Sequence, residues 1–97
     1  MNTHIMTFED GCKIMRDVYF KLGGVHSMNL EHVAYKPGKG RWLRLVIMLE
    51  KKTSRVEDFE NKLKDQLKKF PVHHSVTRTD TAKFTKFIVP GRLVLNQ

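Results

Sequence analysis

Residues Lys36 to Lys52 read KPGKGRWLRLVIMLEKK, and this stretch decides how the rest of the chain is arranged. Lys36-Pro37-Gly38-Lys39-Gly40 is rich in turn formers, and Arg41 to Leu49 is the most strand-like run in the sequence. Side chains alternate across a strand, so Leu43, Leu45, Ile47 and Leu49 share one face and Trp42, Arg44, Val46, Met48 and Glu50 share the other. The first face is wholly aliphatic and belongs in a core. The second opens on an aromatic and a cation, with Lys39 and Arg41 beside them. One central strand thus nucleates the core on one side and starts a basic surface at one end.

Outward from this strand, each flank supplies a hairpin partner and a helix. Val25 to Lys36 is predicted to be the first strand of the hairpin, with Met28 and Leu30 on one face and Val33 and Tyr35 on the other. That change of phase near Glu31-His32 predicts either a β-bulge or a strand that is apolar on different sides in its two halves. Upstream, His4 to Thr7 is a short strand candidate, and Thr7 with Asp10 three residues on forms a variant capping box. Phe8, Cys12, Met15, Val18, Tyr19 and Leu22 then recur at spacings of three and four as the apolar stripe of a helix, which Gly23-Gly24 ends. Gly11 is a weak helix residue in the first turn.

Downstream, Ser54-Arg55-Val56-Glu57 reads as a capping box for a second helix. Its stripe is Val56, Phe59, Leu63, Leu67 and Phe70, and Pro71 stops it. Glu60 with Lys64 and Asp65 with Lys69 are charge pairs four residues apart on its wet side. Val72 to Thr79 and Lys83 to Val89 are strands joined by Thr79-Asp80-Thr81, with Pro90-Gly91 breaking the second and Arg92 to Leu95 forming a short edge strand. Phe84 and Ile88 share one face and Phe87 and Val89 the other, so that strand is covered on both sides or pairs with another copy of the chain.

The predicted order is (β)αββαββ: one α+β domain over residues 1–97, an antiparallel sheet with two helices on one face. Helix plus hairpin occurs twice, at 8–52 and 54–89. The order suits either a ferredoxin-like plait or a saddle of two helix–hairpin units. The expected core is Met15, Val18, Leu22, Leu43, Leu45, Ile47, Leu49, Phe59, Leu63 and Leu67.

Composition narrows the function classes. Ninety-seven residues leave room for one domain. The longest apolar run, Leu45 to Leu49, is far below the roughly 20 residues of a membrane helix. The N-terminus lacks the pattern of a secretory signal, and a single cysteine, Cys12, suits a reducing cytoplasm. The net charge is +8 and it is clustered: residues 36–55 hold seven basic groups and one acid, and residues 78–97 hold four and one. Clustered excess is the footprint of a polyanion site. The run Lys62, Lys64, Lys68, Lys69 is balanced by acids and reads as a solvated helix face.

No catalytic spacing is present. There is no G-x-S-x-G, P-loop, H-E-x-x-H or C-x-x-C. His73 and His74 point to opposite faces of a strand, and His26 and His32 lie about 20 Å apart by strand rise. No metal, cofactor or enzymatic activity is therefore expected. Against the RNA-recognition-motif pattern, Lys39-Gly40-Arg41-Trp42-Leu43-Arg44-Leu45 keeps only Trp42 as an aromatic. The expected function is nucleic-acid binding, to DNA or RNA, by a basic hairpin: Lys36, Lys39, Arg41, Trp42 and Arg44, with Arg78, Lys83 and Lys86 on the second hairpin. The alternative is an interaction or inhibitor protein that docks on an acidic protein partner. A homodimer through an edge strand is a further expectation, and no membrane association is expected.

Overall fold

A computed structural model describes residues 5–33, 41–50, 55–70, 72 and 75–93, with the backbone alone at 32, 33, 41, 42, 92 and 93. Its centre is β2, Arg41–Glu50, antiparallel to β1, Ser27–Val33, on one side and to β4, Phe84–Leu93, on the other. The short β3, Thr77–Asp80, pairs with the outer side of β4 and completes a four-strand antiparallel sheet in the order β1-β2-β4-β3. Two helices, α1 at Phe8–Asp17 and α2 at Val56–Leu67, cover one face. The hairpins stay intact and meet through β2 and β4, which is the two-unit arrangement of the expected pair. The turn 36–40 lies outside the described residues.

The aliphatic face of β2 makes the core. Leu43, Leu45, Ile47 and Leu49 are buried together with Phe87 and Val89 of β4, and Phe59, Leu63 and Leu67 of α2 lie across them. Phe59 and Phe87 stack at 5.6 Å between ring centres, which seats α2 over β4.

Thr7 caps α1 as its sequence implies: its hydroxyl accepts from the Asp10 amide at 3.2 Å, and the Asp10 carboxylate accepts from the Thr7 amide at 3.1 Å. The helix then loosens into a π-turn, Val18–Leu22, and ends at Gly23, whose φ of 68° is the left-handed conformation glycine supplies without strain. The buried side of α1 differs from the expected stripe. Gly11, Ile14 and Val18 are buried, Met15 and Leu22 are partly so, and Phe8 and Tyr19 face solvent at 49% and 66% exposure. Gly11 sets this rotation: an added Cβ would lie 2.7 Å from Leu30 Cδ2, so the helix meets β1 along its glycine.

Four further expectations are narrowed or changed. β1 pairs with β2 in continuous register from Ser27↔Met48 to Val33↔Trp42, with no bulge at Glu31-His32. Val33 shares the alternation of Ser27, Asn29 and Glu31, so the change of phase comes without an inserted residue and fits the second alternative. The first residue before α2 is Arg55, which makes no side-chain cap, and Ser54 lies outside the described residues. β4 runs through Pro90-Gly91 instead of breaking there, and it is an inner strand, so both its edges are paired within one chain. β3 is correspondingly short. Extended backward in its own register, it would meet Pro90 at Ser75, and proline has no N–H to share. Beyond it, Met6 bridges Gly91 in parallel, which is all that the expected strand at 4–7 forms among the described residues.

That bridge yields a prediction. A Cβ on Gly91 would sit 2.6 Å from the Met6 carbonyl and 2.7 Å from Leu43 Cδ1, so backbone must move. Gly91→Ala is expected to lower stability by about 1–3 kcal/mol. Gly11→Ala, which meets only the tip of the flexible Leu30 side chain, is expected to lower it by less. Urea unfolding midpoints of the two variants check the order.

Candidate nucleic-acid interface

The helices leave the second face of the sheet open, and strand alternation decides what it carries. Arg44, Val46, Met48 and Glu50 of β2 lie on it, beside Phe84, Lys86, Ile88 and Pro90 of β4. Its centre is apolar: Val46, opposite Ile88, is only 6% exposed although no helix covers it. Its two ends carry different groups. At the Glu50 end, His26 stacks on Phe84 with ring centres 4.7 Å apart, and its Nδ1 lies 3.6 Å from Glu50. At the other end the register pairs Trp42 with Arg92 and Arg41 with Leu93. The two basic segments of the sequence therefore meet in space, although they lie in opposite halves of the chain.

The eight expected site residues fall into five groups. Lys36 and Lys39 lie outside the described residues, as do Lys51 and Lys52 at the far end of the strand. Arg41 and Trp42 are in β2 with backbone described, one step from the C-terminal half of β4. Arg44 and Lys86 are on the open face. Arg44 donates from Nε to Glu31 on β1 at 2.8 Å, a cross-strand pair of exposed partners that adds about 0.2–1 kcal/mol and leaves the guanidinium reachable from solvent. Lys86 is half-buried between Met48 and Thr79, its register neighbours. Lys83 is exposed in the turn that links β3 to β4, where Thr81 and Phe84 close the loop through backbone and hydroxyl hydrogen bonds.

Arg78 stands apart. It is opposite Phe87, on the helix side of the sheet. Its Nη1 donates to Glu57 at 2.8 Å and to Glu60 at 3.0 Å, both on α2, and its Nε approaches Asp80 at 3.5 Å. These carboxylates hold the guanidinium pKa above its ordinary value, Glu57 chiefly. Arg78 clamps β3 to α2 and turns its charge away from the open face. Asp80 also accepts from the buried Thr85 hydroxyl at 2.8 Å, so the same corner satisfies a polar group inside the core.

Three residues stand outside the expected set: Arg92, which joins through the β4 register, and Phe84 with His26, which form the ring pair at the far end. Arg92 is counted in the charge of residues 78–97, but only the strand pairing sets it beside Trp42. His4, His73 and His74 lie outside the described residues. Among the described residues, no group of three His, Cys, Asp or Glu side chains is gathered to hold a metal ion. No helix among them is long and apolar enough to cross a membrane. Compared with family models, with curated proteins and with solved structures, the chain finds no match.

The Arg78 corner gives a pH prediction. The ammonium of Lys64, hydrogen-bonded to Glu60, is the main cause that holds the Glu60 carboxyl below the usual range; partial burial opposes this and Arg78 adds to it. A carboxyl whose folded pKa is lowered stabilises the fold above its unfolded value and loses that contribution as pH falls through the folded one. Glu60→Gln is expected to be less stable than the parent at pH about 7, with the gap closing below about pH 4. Urea midpoints across that range check it.

Proposed function

We propose that this chain is a small basic nucleic-acid-binding protein, for DNA or RNA, that engages the backbone with the cationic end of its open sheet face. The observation that carries the reading is the β2–β4 register, which pairs Trp42 with Arg92 in the same alternation as Arg44, with Arg41 at the adjoining strand end. It brings Arg41 and Trp42 of one basic segment beside Arg92 of the other at one end of the sheet, while Lys86 and Lys83 lie toward the Glu50 end. Residues 36–40, which follow Val33 and precede Arg41 in the sequence, add Lys36 and Lys39 beside Gly38 and Gly40, whose lack of side chains favours close approach of a phosphate. Arg44 and Lys86 extend the track over the open face, and Lys83 continues it at the β3–β4 turn. Arg78 is not part of it, since its charge is met by α2.

Phosphate contacts of this sort act without reading sequence, so selectivity among base sequences is expected to be slight and affinity micromolar at physiological salt, on the order of other non-specific binders. The role proposed is binding, not catalysis. It suits a reducing cytoplasm, in which the half-buried Cys12 stays a thiol.

Mobility shifts with single-stranded DNA, duplex DNA and RNA, each at several salt concentrations, test the reading. The parent is expected to bind with a steep salt dependence. Changing Lys39 and Arg41 together to alanine is expected to reduce the slope of log affinity against log salt by about 1.4–1.8, two phosphate contacts' worth. Lys62→Ala, on the outer face of α2 and paired with Asp58 at 3.1 Å, is expected to leave the slope unchanged. Absence of any shift at low salt would overturn the proposal and leave an acidic protein as the partner of the basic surface.

A further inference from the structure

All four large hydrophobic residues that stand exposed among the described ones belong to α1, its π-turn or the approach to it: Ile5, Phe8, Tyr19 and Phe20. A helix with its apolar side against a sheet has no reason to show a second one. Yet Phe8, Cys12, Met15 and Tyr19 follow at spacings of four, three and four along a single flank, and that flank runs from half-buried to 66% exposed. The Tyr19 ring carries Phe20 against it edge-on at 5.3 Å, which widens the patch.

The contacts of α1 fix where this flank lies. On one side, Asp17 accepts a hydrogen bond from Gln66 of α2 at 2.9 Å. Below, Gly11 rests on Leu30 of β1. α2 sits over β4, so the remaining side of α1 looks outward over β1. β1 is an outer strand of the sheet, and among the described residues no strand pairs with its far side. An apolar helix flank and an open strand edge thus occupy the same side of the molecule. Open strand edges are where further chains add.

We propose that this side is the interface of a homodimer in which α1 packs antiparallel on α1 of a second copy. The spacing four, three, four is the same read in either direction. A two-fold axis passing between Lys13 and Ile14 therefore sets Phe8 against the partner's Tyr19 and Cys12 against the partner's Met15, twice over. The charges agree with this register. Glu9 and Arg16 flank the stripe on the same rim, and in the antiparallel pair each Glu9 lies about 3 Å along the axis from the partner's Arg16. Antiparallel helices also oppose their dipoles favourably. A parallel pair would place the two Glu9–Arg16 rims on opposite sides of the interface, where neither acid meets the partner's base. This inference does not rest on the proposed function, because the interface is on the helix flank and strand edge, away from the open face.

The register can be tested by exchanging one contact for an ion pair. Phe8→Glu and Tyr19→Lys each put an unpaired charge into both copies of the interface. A mixed dimer of the two variants instead sets the new carboxylate against the new ammonium once and keeps Phe8 with Tyr19 once. Both changes suit the helix, an acid in its first turn and a base in its last. Sedimentation equilibrium of the parent is expected to give twice the monomer mass, falling to the monomer on dilution. Each variant alone is expected to be a folded monomer by circular dichroism, and the equimolar mixture to regain the doubled mass. A parent that is monomeric throughout, single variants that still dimerise, or a mixture of folded variants that stays monomeric would each overturn the proposal. If either variant unfolds, the opposite-sign pair, Phe8→Lys and Tyr19→Glu, applies the same three criteria.

Discussion

The antiparallel pairing of β2 with β4 is the constraint on which the rest depends. It runs without interruption from Arg41↔Leu93 to Glu50↔Phe84 and joins two hairpins that local sequence alone would leave separate. Because the register is continuous, the inward residues of both strands fall in one layer: Leu43, Leu45, Ile47 and Leu49 beside Val89, Phe87 and Thr85. A slip of β2 by one residue would turn Arg44 inward and its leucines out. Burying the aliphatic face removes apolar surface from water and holds the sheet against the helices, and among the described residues no helix covers the opposite alternation.

The helices are then fixed by a few polar contacts at the margins of that core. Gln66 is buried and donates to Asp17, which ties the end of α1 to α2. Arg78 ties β3 to α2 through Glu57 and Glu60. Both join elements distant in sequence and both satisfy groups that burial would otherwise penalise. Pro90 and Met6 set where pairing stops on the outer side of β4.

Much of this is legible in the residues. Strict alternation along Arg41 to Leu49 makes β2 unmistakable, the Thr7–Asp10 pair marks the start of α1, and the apolar spacing of α2 identifies its buried side. The face of α1 is hidden because glycine has no hydropathy: Gly11 gives the helix its closest approach to β1, and a stripe counted from large side chains is rotated away from it. The strand through Pro90 is hidden because proline forbids pairing on one side only, and which side is free depends on the length of β3. The site divides in the same way. Two basic segments can be counted from the sequence, but their meeting at the Trp42↔Arg92 pair is a property of the register. Arg78 is like its neighbours Lys83 and Lys86 in charge, and only its position opposite Phe87 turns it toward α2.

The central claim is that one strand divides the molecule into a core and a cationic binding surface. Amide chemical shifts of the nitrogen-15-labelled protein, followed while a short single-stranded oligonucleotide is added at low salt, test it most directly. The account predicts changes that gather at Arg41 to Arg44, Lys86 and Arg92, with the helices nearly silent. Changes confined to α1 and α2, or none at all, would contradict it.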